Sequence, residues 1–134
     1  MRGSTRPATT ASLRLRYLAL AIGTIAVGLM VHRDRTRLTP WLRDVLGDAL
    51  WAMMIVWWMG VAVPRTAVRV RALAALAVCF AVELSQLFHT PILDEIRRTV
   101  PGHLLLGSGY EPRDFVAYAA GVFAAALVVR LTVR

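Results

Sequence analysis

Three carboxylates and one amide stand where apolar helix would otherwise run unbroken: Asp48, Glu83, Asp114 and Gln86. Ionisable groups in or beside lipid cost roughly 2.5–3.5 kcal/mol each at a helix centre on insertion scales, so they are default candidates for function. Glu83 and Gln86 are one helical step apart (i, i+3) and share a face. Gln86 is also the only side-chain amide in the chain. A carboxyl and an amide on one stripe of a membrane helix suit the wall of a polar pocket. Such a pocket can move protons, bind a cation or hold a polar headgroup. Interhelical hydrogen bonding explains Gln86 equally well. Asp48 follows Gly47 and Asp114 follows Pro112-Arg113, so each also fits a helix-start carboxylate favoured by the helix dipole. Arg97 or Arg98, folding back, would balance the buried charge. His89 and His103 complete the candidate ligand-binding set of Asp48, Glu83, Gln86, Arg97, Asp114, His89 and His103.

Other chemistries find less support. His89 and His103 show no HExxH-like spacing, so no metal site is expected, and no cofactor pattern is present. Ser85 and Ser108 have no triad-like surroundings to make a nucleophile. Gly107-Ser108-Gly109 lacks the strand-turn-helix setting of a phosphate loop. The single Cys79 lies among Ala77, Val78 and Phe80 and reads as a small buried hydrophobe.

The elements that must position these residues are apolar stretches: Leu13–Val31, Val45–Val63, Ala72–Phe88 and Phe115–Val129. They fill more than half of the 134 residues, and the whole chain is 57% hydrophobic with a mean hydropathy of +0.58. A soluble bundle would show a polar face at 3.6-residue spacing, and Leu50–Val63 and Ala72–Val82 show none. The expected fold is therefore all-α: one polytopic domain over residues 13–134 with four transmembrane helices, after a disordered cytoplasmic tail at residues 1–12. The spans are short, since nineteen residues rise about 28 Å against a hydrocarbon core of about 30 Å. Snorkelling by Arg14, Arg16 and Arg130 makes up the difference. The first span is longer than a signal-peptide core, and Val31-His32-Arg33-Asp34 is no cleavage site, so it reads as retained.

All 16 cations are arginines, giving a net charge of +8. They sit in the connections between spans, where anionic headgroups account for them and nucleic acid is not needed. The arginine bias with abundant Ala and Val suggests a GC-rich bacterial genome. With both termini cytoplasmic, nine arginines fall inside and seven outside, in the sense of the positive-inside rule. All eight acidic residues then fall on the outer half. The polar chemistry is gathered on one side.

The stretch from His89 to Arg113 is too patterned for a plain loop. Ile92, Leu93, Ile96 and Val100 predict a short amphipathic helix over Ile92–Thr99. Leu104-Leu105-Leu106, between glycine-containing turns, predicts a segment dipping toward the bilayer; a surface loop with an apolar plug is the alternative. In the last span, Ala117, Gly121 and Ala125 form a small-residue stripe that permits close approach of another helix, expected to be the Glu83/Gln86 face. Trp41, Trp51, Trp57 and Trp58 fit an aromatic belt.

Five motifs in order carry a family resemblance: Gly47-Asp48-Ala49-Leu50-Trp51-Ala52; Glu83-Leu84-Ser85-Gln86-Leu87; Leu93-Asp94-x-x-Arg97-x-Thr99; Gly102-His103-Leu104-x-Leu106-Gly107-x-Gly109-Tyr110; and Asp114-x-x-Ala117-Tyr118-x-x-Gly121. The chain resembles the bacterial domain-of-unknown-function 2809 family, whose members are small integral membrane proteins. More distantly it is similar to VanZ-like membrane proteins, with Glu83, Gln86, Arg97, Asp114 and Gly121 in the same order. Tyr118 stands where those proteins have asparagine. The resemblance implies a role at the cell envelope. The reading that results is an inner-membrane protein that meets lipids and holds a polar or lipid-linked ligand in an outward-facing pocket. Its alternatives are a membrane-embedded enzyme, with Glu83 or Asp114 as base and a histidine as acid, and a proton-linked transporter assembled from several copies.

Overall fold

The computed structural model describes residues 8–107 and 109–133. Residues 1–7 of the expected tail lie outside the described residues, and helix begins at Thr10. Six helices follow in order: α1 Thr10–Arg33, α2 Pro40–Ala62, α3 Val68–Ser85, α4 Pro91–Arg98, α5 Val100–Leu106 and α6 Asp114–Thr132.

Threonine starts most of them. Thr9, Thr39, Thr90 and Thr99 each accept a backbone N–H three residues on, and Pro40, Pro91 and Pro101 sit in the first turns of α2, α4 and α5. A cap of this kind is worth about 1 kcal/mol, and proline costs nothing where an N–H has no helical partner. The α1–α2 turn is held by the Asp34 carboxylate, which accepts from the N–H groups of Thr36 and Arg37.

Three helices, α1, α2 and α6, are long and apolar enough to cross a membrane. The fourth expected span, α3, is 18 residues long and carries Arg69, Arg71 and Glu83, which sets it apart from the others by composition. It also ends sooner than the apolar stretch does. Gln86, Leu87 and Phe88 bond back to Glu83, Leu84 and Ser85 in tight i→i−3 turns, so Glu83 lies in the last helical turn. The expected surface helix is α4, and the segment expected to dip toward the bilayer is the short helix α5.

Helix α2 is the centre of the bundle, with α1, α3 and α6 packed on it; α3 also packs on α6. The backbone of α1 comes close to no helix but α2. Two glycines set close approaches between the long helices. A Cβ at Gly60 would overlap the Tyr17 ring, and one at Gly121 would overlap the Ala49 carbonyl oxygen. At Gly121 the small-residue stripe of α6 therefore meets α2, where the Glu83/Gln86 face of α3 was expected, although Tyr118 of the same helix does reach Glu83. Large apolar side chains such as Leu29, Met30, Phe123 and Leu131 face outward. In water that surface would be a liability; in lipid it is the solvated face.

Candidate functional site

Glu83 is 0% exposed and sits at the centre of one end of the bundle. One carboxylate oxygen accepts the Glu111 backbone N–H at 2.7 Å and the other accepts the Tyr118 hydroxyl at 3.0 Å. It thus ties α3 both to α6 and to the chain entering α6. The Tyr118 ring lies 5.7 Å from that of Trp51 on α2, and Phe80 and Phe115 meet edge to face at 4.7 Å between α3 and α6. These contacts fix the start of α6 beside the first half of α2.

A groove of about 840 Å³ follows from this arrangement. Its floor is the first half of α2; the second half of α1 forms one side and α5 with the start of α6 the other. Because the backbone of α1 comes close to α2 alone, the groove between α1 and α6 stays open among the described residues. Asp48, Trp51, Gln86, His103, Asp114 and Tyr118 line its polar part. The close approach of Gly121 to Ala49 brings Asp114 beside Asp48, and the two carboxyls are within hydrogen-bonding reach. Two carboxyls this close are held by a shared proton or by a donor placed between them. Arg113 supplies the nearest cation, paired with Glu111, 3.7 Å from Asp114 and 4.0 Å from Asp44.

The candidate residues are divided by this geometry. Asp48, Gln86, Asp114 and His103 are on the groove wall. Glu83 stands one hydrogen bond behind it, through Tyr118. Arg97 is elsewhere: its guanidinium donates to the Ser85 carbonyl at 2.7 Å and the Phe88 carbonyl at 2.9 Å, capping the end of α3. His89 is exposed and pairs with Asp94 at 3.3 Å. Ser85 donates to the Val82 carbonyl at 2.6 Å, and Ser108 lies outside the described residues. Among the described residues no three His, Cys, Asp or Glu side chains are placed to hold a metal.

Three wall residues had no functional reading in the sequence. Arg113 stands between Glu111 and Asp114 along the chain, a spacing that signals local charge balance. Trp51 is one helical step from Asp48, a signal masked by its fit to an aromatic belt. Tyr118 is one turn beyond Asp114 and shares its face.

An all-helical membrane protein with a polar groove at one end is the class this fold and site define. The family model described as Protein of unknown function (DUF2809) matches residues 37–122, more than half of the chain, and the chain belongs to that family. No solved structure matches it. The matched segment runs from the turn before α2 to the middle of α6, so it holds every polar residue named on the groove wall. The α1 side of the groove lies outside it.

Proposed function

We propose that this protein is a bacterial inner-membrane protein that binds a polar or lipid-linked ligand of the cell envelope in the groove between α1 and α6. The observation that carries the reading is the pairing of Asp48 and Asp114 on the wall of a groove left open between two apolar helices. A polar site reached from the side of a bundle suits a ligand that lies in the membrane. The VanZ-like order of Glu83, Gln86, Arg97 and Asp114 supports an envelope role.

In this reading α3 also crosses, making four spans in the single domain of residues 13–134. Its two buried charges, Arg71 and Glu83, lie near its ends and against other helices, while Leu73, Val78 and Leu84 face outward. Eighteen residues rise about 27 Å, enough for most of the hydrocarbon core. Both termini are then cytoplasmic and the groove faces outward, as the arginine balance favours. Reporters fused after Arg98 and at the C-terminal end test the orientation: periplasmic signal from the first and cytoplasmic signal from the second are expected, and the reverse pair would invert the molecule.

The paired carboxyls also favour one second reading, acid/base catalysis in the membrane. Glu83 has both oxygens engaged within the protein, so that chemistry falls to Asp48 and Asp114. The direct test of ligand binding is mass spectrometry of lipid and glycan copurified with the full chain. One species retained by the wild type and lost on Asp114→Asn is expected; identical retention by the two proteins would sink the reading.

A further inference from the structure

Two tryptophans on α2 differ in a way that names the ligand's chemistry. Trp57 donates its indole N–H to the Thr24 hydroxyl of α1 at 2.9 Å. Trp51, six residues nearer the polar end, has a buried indole N–H with no partner among the described residues, and it lines the groove. On the same wall Gln86 is 5% exposed, and its Oε1 also lacks a partner. An unsatisfied buried polar group costs about 1–3 kcal/mol. Resting on the ligand-binding reading above, we propose that the groove takes the hydroxyl-rich head, sugar or glycerol, of a molecule whose apolar chain runs down the groove between α1 and α6, over α2.

The inventory of groups selects this class. The indole N–H only donates, so it needs an acceptor. The amide oxygen and the carboxyls of Asp48 and Asp114 need donors. A hydroxyl is both at once, and it serves either end of the Gln86 amide. An ammonium head satisfies the carboxyls but leaves the indole N–H without an acceptor. A phosphate accepts from the indole but meets the carboxyls of Asp44, Asp48, Glu111 and Asp114 against two lining arginines, Arg43 and Arg113.

Depth supports the chain. Along α2 the wall passes from Asp48 to Trp51 to Met54 over about 9 Å of rise. Along α1 it passes from His32 to Leu29 to Ile25 in the same direction. The groove is polar at its outer end and apolar toward the bundle's middle. Gly28 on α1 and Gly47 on α2 leave that space open, since a Cβ at either would meet nothing within 4 Å.

The open glycines allow a test that spares the fold. The full chain is placed in phosphatidylcholine nanodiscs containing monoglucosyldiacylglycerol, and bound lipid is counted by native mass spectrometry. Enrichment of the glucosyl lipid by about tenfold over its share of the bilayer is expected. Trp51→Phe, which keeps the ring and removes one donor, should lower that enrichment about fivefold, within the range of one lost hydrogen bond. Gly28→Leu fills the groove in a helix that leucine favours over glycine, and should abolish enrichment with folding intact. Free glucose that displaces the lipid would assign a soluble sugar as the source of the hydroxyls; glucose without effect assigns the lipid-borne head. Selective retention of the choline lipid, lost on Gly28→Leu but insensitive to Trp51→Phe, would overturn the hydroxyl inference and leave the ligand site standing. Lipid retention identical in the wild type and in Gly28→Leu would remove the site itself.

Discussion

Helix α3 buries one charge near each end, and the two are handled differently. Glu83 meets Tyr118 of α6, and both of its oxygens accept hydrogen bonds from protein donors. Arg71, 3% exposed, meets Tyr17 of α1: it donates one bond to the tyrosine hydroxyl at 2.6 Å and lies 4.6 Å from the centre of its ring. Among the described residues its Nε and Nη1 have no partner. The surroundings differ in the same sense. All eight acidic side chains are at the Glu83 end, whereas Arg14, Arg16, Arg65, Arg69, Arg71 and Arg130 stand at the other. The first end is organised around the satisfied hydrogen bonds of Glu83, which stand behind the groove. The second is organised by a ring under a guanidinium and a rim of like charge, the usual dress of a helix bundle that meets anionic headgroups.

Each end also has a glycine where helices touch, and these give the largest expected effects. At Gly121 the obstacle to a side chain is the Ala49 backbone; at Gly60 it is the Tyr17 ring. Gly121→Leu should cost 3 kcal/mol or more, about the upper range for overpacking, and sharply lower the yield of folded protein in detergent. Gly60→Ala and Gly121→Ala should separate the two ends. A ring can tilt and a carbonyl cannot, so the thermal midpoint should fall further for Gly121→Ala. Equal midpoints would mean the two approaches are equally yielding.

The next effect concerns Glu83 alone. Glu83→Ala strips the acceptor from the Glu111 N–H and the Tyr118 hydroxyl together, and should destabilise by about 2–4 kcal/mol. Glu83→Gln keeps an oxygen for the backbone N–H and an amide that can donate to the tyrosine, and should cost about 1 kcal/mol. Thermal melts of the two purified variants check the order. A Gln variant as unstable as the Ala variant would show that the negative charge, and not the hydrogen-bonding shape, holds the start of α6.

How much of this could be read beforehand depends on range. The apolar stretches are local patterns, and α1, α2 and α6 overlap them closely; Thr39-Pro40 and Thr90-Pro91 mark two helix starts within a few residues. The amphipathic spacing of Ile92, Leu93 and Ile96 marked α4 for the same reason. The end of α3 was misplaced because it is set by Arg97, twelve residues beyond Ser85, whose guanidinium takes the terminal carbonyls. That contact also takes Arg97 away from the groove it was expected to line. The partner of Gly121 was equally out of reach of spacing arguments, since a small-residue stripe declares close approach without naming the helix. Asp48 and Asp114 stood out by type, but Arg97 or Arg98 was expected to balance Glu83 and Asp114, and the cation beside Asp114 is Arg113. The approach of the α1 backbone to α2 alone, which opens the groove, has no local signature at all.

The smallest expected change belongs to Arg71 and is the most direct test of the contrast between the ends. Breaking a satisfied buried charge leaves its partners stranded, whereas removing an incompletely satisfied one relieves a desolvation penalty as it gives up an attraction. Arg71→Met keeps most of the volume and the contact with the Tyr17 ring, which a thioether also favours. It frees the Tyr17 hydroxyl from one donor, a loss of about 1 kcal/mol, and removes two unpartnered nitrogens from the interior. The two contributions oppose, so the stability of Arg71→Met should lie within about 1 kcal/mol of the wild type, on either side. Chemical denaturation in detergent, beside Glu83→Ala, measures the difference directly. A loss for Arg71→Met as large as that for Glu83→Ala would show that the ring and the single hydrogen bond satisfy a guanidinium as fully as two donors satisfy a carboxylate, and the two ends of α3 would then be built alike.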